Sequence, residues 1–158
     1  MKIYAFFALL VSLINLQENG QHFDKQAFYK IMSSGNLIQV DGQLISIKTV
    51  SLPDREAYEG ALLMKKAGLI ENKLTKLSLF KNGKLELENI IFKNSENCEF
   101  RLLRLIIQEN APKVLGYNKQ IDEDCLLIKK AFRGSTVILQ NIILDYCKKS
   151  QKLILAGS

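Results

Sequence analysis

Four polar residues lie in an otherwise apolar stretch of the sequence and are the strongest candidates for a functional site. The stretch, NCEFRLLRLIIQEN, runs from residue 97 to 110. Projected at about 100° per residue, Arg101, Arg104 and Gln108 share one narrow strip of a helix, whereas Glu99 falls within the apolar arc. Because a helix this apolar belongs near the centre of a bundle, the strip is either its solvent edge or a lining that meets acidic groups of a neighbouring helix.

Glu99 allows two interpretations, because an isolated buried carboxylate is costly. In the structural interpretation, which we favour, it lies in the first turn of the helix and bonds to backbone N–H groups or to an arginine. In the functional interpretation, Glu99 and the arginines line a cleft. We therefore predict that Glu99, Arg101, Arg104 and Gln108 form a structural polar network first and a binding site second, with no catalytic residue among them.

An enzyme that uses carboxylates, such as a hydrolase, is a second hypothesis. Its candidate residues are Glu99, Glu109, Asp122 and Asp124, since general acid/base catalysis needs two carboxyl groups in one cleft with separated pKa values. The sequence does not place any two of them together. Asp122 and Asp124 fit more simply in the first turn of a helix, and Glu109 is expected to bond to backbone groups at the Asn-Ala-Pro break that follows it.

Metal and nucleophile chemistry have little support in the sequence. His22 is the sole histidine and no C-x-x-C pair occurs, so neither a zinc site nor a Ser-His-Asp or Cys-His arrangement is predicted. We predict no cofactor. For Cys98, Cys125 and Cys147 we favour three free buried thiols, and one disulfide with one remaining thiol is the alternative.

The 158-residue chain carries a net charge of +6. Its basic residues are scattered and fall late in the apolar periodic stretches, which is typical of helix C-termini. An anionic envelope polymer or a membrane surface is the alternative explanation of this charge. No basic stripe with interleaved aromatic residues supports nucleic acid as a partner.

The first residues have the features of an export signal. Lys2 gives a positive start, and the segment 3–16 is apolar apart from Ser12 and Asn15. We expect cleavage near Gly20, although the A-x-A pattern is missing. This interpretation predicts a signal peptide over 1–20, a single domain over 21–158 and a periplasmic or extracellular location; a first core helix of a cytosolic protein is the alternative.

The spacing of apolar residues predicts an all-α, compact bundle of about six helices. The capping signals are Asp24, Asn36 with Gln39, Ser51 with Asp54, Asn94 or Asn97, Asp122, and Ser135. The predicted helices cover 23–33, 51–68, 73–93, 97–110 and 122–133, with further helices beginning at residues 36 and 135. The apolar start of the tail LILAGS is expected to dock on the core.

Two regions also fit β-hairpins, which would make the fold α+β. Asp41-Gly42 and Asn82-Gly83 are both strong turn signals between apolar residues. We favour helix in both regions, because the alternation after the second signal ends at Glu88 and an isolated hairpin is marginally stable. An interruption of the second helix near Gly83 is left open.

Ala57, Gly60, Ala61 and Met64 form a stripe of mostly small residues, which predicts the close approach of a second helix. Together with the following segments KLSLFKNGKLELENIIFKNSEN and CEFRLLRL, the stretch from residue 56 to 105 resembles a tetratricopeptide-type helical repeat. The resemblance implies paired antiparallel helices and a concave face suited to peptide or protein binding. It implies no catalytic residue.

The sequence therefore favours an exported, non-enzymatic helical binding or assembly module that recognises a protein or peptide in the cell envelope. The alternatives are the carboxylate-using hydrolase and a binder of an anionic polymer or membrane surface. The sequence leaves the oligomeric state open.

Overall fold

The computed structural model describes residues 23–155, and every regular element among them is helical. The seven α-helices are α1, Lys25–Ser34; α2, Leu37–Thr49; α3, Arg55–Leu69; α4, Lys73–Lys93; α5, Cys98–Asn110; α6, Ile121–Ala131; and α7, Val137–Cys147. Short 3₁₀ turns at Lys113–Leu115 and Phe132–Gly134 flank α6. The predicted all-α fold is confirmed, with close to the expected number of helices. The predicted export signal and His22 lie outside the described residues.

Three helices begin where their capping residues predict. The Asp24 side chain accepts a hydrogen bond from the Ala27 N–H at the start of α1. Asn36 and Gln39 form the expected reciprocal capping box at the start of α2. Asn97 accepts bonds from two backbone N–H groups of the first turn of α5. These caps satisfy N–H groups that a helix start leaves without an intrahelical partner.

The bounds predicted for α3 are wrong at both ends. The helix starts at Arg55, and the expected capping box of Ser51 and Asp54 is not formed. Asp54 instead has a left-handed backbone, with φ of 52°, and its side chain makes no capping hydrogen bond. At the other end the helix passes through Gly68 and continues to Leu69.

Smaller corrections apply to α6 and α7. Asp122 does not precede α6 as its cap but lies inside the first turn, because the helix begins at Ile121. Thr136, one residue after the predicted Ser135, caps α7 by accepting a hydrogen bond from the Leu139 N–H.

Neither hairpin alternative occurs in the part of the chain that the structure describes. Asp41-Gly42 lies inside α2, and Asn82-Gly83 lies inside α4, which is a continuous helix of 21 residues. Gly83 instead allows α3 and α4 to approach closely. A Cβ atom on Gly60 would lie 2.6 Å from the Gly83 carbonyl oxygen and 2.9 Å from the Leu87 amide nitrogen. The close approach predicted from the small-residue stripe is therefore confirmed.

The helix α5 lies at the centre of the bundle and packs against α3, α4 and α6. Its eleven consecutive residues from Cys98 to Gln108 are all buried. Leu102, Leu103 and Leu105 are completely inaccessible to solvent, and burial of each such side chain is worth about 1.5–3 kcal/mol. The predicted central position of this helix is confirmed. Among the described helices, none has the length and apolar character needed to cross a membrane.

Candidate functional site

The arginine strip of α5 meets a buried carboxylate of α6. Arg104 forms a bidentate pair with Asp124, in which Nε lies 2.8 Å from Oδ2 and Nη2 lies 2.7 Å from Oδ1. Arg101 donates a further hydrogen bond from Nη1 to Asp124 Oδ1 at 3.0 Å. Asp124 is completely buried, so these charge-assisted bonds lie in the protein interior. The sequence allowed the arginine strip to be either a solvent edge or a lining that meets acidic groups of a neighbouring helix. The structure shows the second arrangement.

Further carboxylates extend this network to α4 and to the surface. Arg104 Nη1 donates to Glu88 Oε2 at 2.8 Å, and the Tyr117 hydroxyl donates to Glu88 Oε1 at 2.6 Å. Arg101 Nη1 also donates to Glu123 at 2.7 Å. The network therefore ties α4, α5, α6 and the loop before α6 together, and its geometry fixes their relative register.

The electrostatics of the network keep Arg104 charged and Tyr117 neutral. Burial alone would lower the pKa of Arg104, but hydrogen bonds and charge from Asp124 and Glu88 raise it above its ordinary value. Burial, then the hydrogen bond to Glu88, raises the pKa of Tyr117 well above 10.0. The guanidinium stays charged and the phenol stays neutral, so the network suits a structural role.

Glu99 belongs to a different cluster from the arginines. It lies in the first turn of α5 as predicted, but its partner is Lys25 of α1, with Nζ 2.5 Å from Oε2. The expected bond to an arginine or to backbone N–H groups is not formed, because the side chain points towards α1 and not towards α6. Among the described residues, its second oxygen, Oε1, has no partner with hydrogen-bond geometry. Burial, then the charge of Glu99, raises the pKa of the nearby Tyr58.

Gln108 forms a third, separate contact. Its Nε2 donates to the Gln120 Oε1 at 2.9 Å, while its own Oε1 is buried without a hydrogen-bond partner. The four residues predicted to form one polar network thus have separate partners. Glu99 contacts α1, the two arginines contact α6, and Gln108 contacts Gln120, the residue that precedes α6. The functional interpretation, a joint cleft of Glu99 with the arginines, does not occur in the described structure.

Glu109 holds the segment that follows α7 against α5. It accepts hydrogen bonds from the Tyr146 hydroxyl at 2.5 Å, from Ser150 Oγ at 2.7 Å and from the Gln151 N–H at 3.0 Å. The expectation that it bonds to backbone groups at the Asn-Ala-Pro break is therefore wrong. The segment it holds buries Leu153 and Leu155 in the core. The predicted docking of the tail is confirmed.

A large open cleft, which we call the lysine cleft, borders the C-terminal end of α5. Its volume is about 2050 Å³, and α1, α3, α4, α7 and the tail also contribute to its walls. Buried apolar side chains line it, among them Met32, Met64, Phe80, Ile106, Ile107 and Ile142. The side chains of Tyr29 and Gln108 also lie in its walls, and each has a buried oxygen without a hydrogen-bond partner in the described part of the chain.

Eight lysines surround this cleft. One group comes from α1 and the end of the chain: Lys30, Lys148, Lys149 and Lys152. The other comes from α3, α4 and the turn after α5: Lys65, Lys73, Lys76 and Lys113. Within the described residues, the three carboxylates along the cleft are Glu109, Asp122 and Asp145. The cleft therefore has an excess of five positive charges, against a net charge of +6 for the whole chain.

The candidates for carboxylate chemistry are distributed between the interior and the cleft. Glu99 and Asp124 are buried in ion pairs, with Lys25 and with the arginines. Glu109 and Asp122 line the lysine cleft, where Glu109 holds the tail and Asp122 is exposed. Sequence reasoning missed both the cleft and the central position of Asp124. An acidic residue in a first turn gave no signal that it faces two arginines.

Buried and half-buried groups near the end of α5 carry protons that the folded protein holds tightly. The three cysteines are free. Burial raises the pKa of Cys125 from 9.0 to about 11. Burial, followed by a bond to Glu109, raises the pKa of Tyr146 well above 10.0. Because the folded state binds these protons more strongly than the unfolded chain, both groups stabilise the fold at lower pH. The contribution of Cys125 is complete below pH 9 and is lost as the pH rises through about 11, whereas that of Tyr146 starts to fall only near pH 10.

We therefore expect the free energy of unfolding to fall between pH 9 and pH 11. Urea denaturation followed by circular dichroism at a series of pH values measures it. The sign follows from the raised pKa values of Cys125 and Tyr146, since deprotonation favours the unfolded chain. A free energy that stayed level over this range would contradict the burial of these groups.

The described residues contain no group of three or more metal-binding side chains that could hold an ion. The geometry instead provides a rigid polar network under α5 and a basic, apolar-lined cleft beside it. In comparisons with known proteins, the chain matches no protein-family model, no curated protein and no solved structure.

Proposed function

We propose that this protein is an exported, non-enzymatic binding module whose lysine cleft holds a segment of a protein or peptide partner in the cell envelope. The observation that carries the proposal is the size and lining of the cleft. Its volume of about 2050 Å³ exceeds the range of roughly 300–1,000 Å³ that is typical of small-molecule pockets. A macromolecular segment would fill such a space better than a single metabolite.

The surrounding structure supports this use of the cleft. The Asp124 network and the Lys25–Glu99 pair hold α5 in place, and Glu109 holds the tail that forms part of the wall. A preorganised wall reduces the entropy lost when a partner binds. The signal-like residues 1–20 support export. The resemblance to helical repeats, which stays a prediction, also implies binding of a peptide or protein.

The two alternatives from the sequence stay predictions. Glu109 and Asp122 at the cleft are the residues that a hydrolase could use. The lysines around the cleft are the residues that an anionic polymer or a membrane surface could contact. The volume and the apolar lining favour a protein segment over both.

Panning a random peptide library on the full chain tests the proposal. Affinity of the selected peptides is measured by fluorescence anisotropy for two matched variants of α4. Leu77 lines the cleft, whereas Leu85 is exposed on the same helix outside it. Leu77 is 43% exposed in the free chain, so a ligand that covers the exposed part of its side chain gains about 0.6–1.3 kcal/mol. Leu77→Gln should therefore weaken binding about three- to ninefold.

Leu85→Gln is the control and should leave the affinity unchanged. Two results would overturn the proposal: recovery of no peptide that binds above background, or equal loss of affinity in both variants.

A further inference from the structure

We propose that the occupant of the lysine cleft is an acidic protein segment that carries both carboxylate and apolar side chains. This inference rests on the proposed function and specifies its ligand. Its first support is charge complementarity. Of the net charge of +6 on the whole chain, an excess of five positive charges lies along this one cleft.

The cleft combines these charges with apolar surface. Met64, Phe80 and Ile106 are buried side chains that reach its lining, while Lys73, Lys76 and Lys149 are exposed around it. A purely anionic polymer would leave the apolar lining without a partner, and a purely apolar segment would desolvate lysines without compensation. An acidic amphipathic segment satisfies both, as in helix-in-groove recognition.

Lys65 is the lysine best placed to bind a carboxylate of the ligand. It is half-buried in the cleft wall, and no carboxylate of the described chain forms an ion pair with it. Its neighbour Lys66, in contrast, pairs with Asp41 at 2.7 Å. Burial lowers the pKa of Lys65. A desolvated ammonium without a partner gains more from an incoming carboxylate than a fully hydrated one does.

The composition of the peptides selected on the full chain gives the first test. We expect them to be enriched in Asp and Glu interspersed with apolar residues. The tightest peptide is then resynthesised with every Asp and Glu replaced by Asn and Gln, and we expect its affinity to fall at least tenfold. If the amide peptide binds as well as the acidic one, the inference fails while the proposed function stands. If no peptide binds, the proposed function fails.

Matched lysine variants locate the interaction. Lys65→Met removes the charge but keeps an unbranched apolar side chain. It should lower the affinity for the acidic peptide at least fivefold while hardly changing the affinity for the amide peptide. Lys76→Met changes an exposed residue of the cleft and therefore does not put folding at risk. This second variant should lower the affinity for the acidic peptide about threefold. Lys81→Met, at an exposed residue of α4 outside the cleft, is the control and should have no effect.

Equal affinities of the acidic peptide for Lys81→Met and for the two cleft variants would overturn the assignment of the acidic segment to this cleft. Vesicles containing phosphatidylglycerol distinguish a membrane from a protein segment. We expect that the acidic peptide does not compete with any sedimentation of the full chain at physiological salt. Sedimentation that is competed by the acidic peptide would show that the cleft binds an anionic membrane surface, and it would overturn the inference.

Discussion

Replacing Asp124 by alanine is expected to lower the free energy of unfolding by about 3–5 kcal/mol. The substitution removes three hydrogen bonds that Arg101 and Arg104 donate to one completely buried carboxylate. Both guanidinium groups would stay buried with less compensation, and an uncompensated buried charge is the costly outcome when one partner of such a pair is removed. Urea denaturation at neutral pH measures the change.

Glu123 provides the matched control, because it is the adjacent residue and bonds to the same Arg101. Its side chain is 62% exposed, whereas that of Arg101 is 8% exposed. Without Glu123, the buried Arg101 would keep its hydrogen bonds to Asp124 and to the Ser95 carbonyl oxygen. Glu123→Ala should cost less than about 1 kcal/mol, as exposed ion pairs do. If Asp124→Ala cost no more than Glu123→Ala, the buried network would not be the structural centre that we describe.

Gly60→Ala is expected to destabilise the protein, although alanine normally favours a helix over glycine by about 1 kcal/mol. The added Cβ would lie 2.6 Å from the Gly83 carbonyl oxygen, and neither that atom nor the Leu87 amide nitrogen can turn away as a side chain can. The two helices must separate, which by analogy with overpacked cores costs about 1–3 kcal/mol. The free energy of unfolding of the variant, again from urea denaturation, tests this.

Gly42→Ala serves as the comparison at an exposed position within α2. Apart from its chain neighbours and the nearby backbone of α2, no atom of the described residues lies within 4 Å of a Cβ added there, so the helix preference of alanine should act alone. We expect a gain of about 0.5–1 kcal/mol. Stabilisation by Gly60→Ala to the same degree as by Gly42→Ala would contradict the close crossing of α3 and α4.

The parts of the fold that the sequence predicts well are those with local causes. Asn36 and Gln39 cap α2 through bonds between residues three apart, and this spacing is visible in the sequence. The apolar residues of α5 are likewise visible in the sequence, and a helix that is apolar on nearly all sides belongs at the centre of a bundle. At Gly83 the local signal was ambiguous, because a glycine after asparagine fits both a turn and a close helix crossing, and only the partner Gly60 on α3 decides between them.

The candidate site depends on contacts that are distant in sequence. Asp124 has the local pattern of a first-turn residue, and its importance comes from arginines 20 and 23 positions earlier. The partner of Glu99 is 74 residues away on α1. The lysines of the cleft come from several separate segments, each of which alone looks like an ordinary charged helix end. Their concentration in one cleft follows only from the packing of the helices.

Mapping the bound peptide by nuclear magnetic resonance tests most directly whether the lysine cleft is the binding site. The ¹⁵N-labelled full chain would be titrated with the tightest acidic peptide selected on it. We predict shifts at amides around the lysine cleft, such as Lys30, Leu77 and Lys149, and none at Ile38 or Ile45 on the exposed face of α2. Shifts concentrated on that face of α2, with the cleft unchanged at saturation, would contradict the claim that the cleft is the binding site.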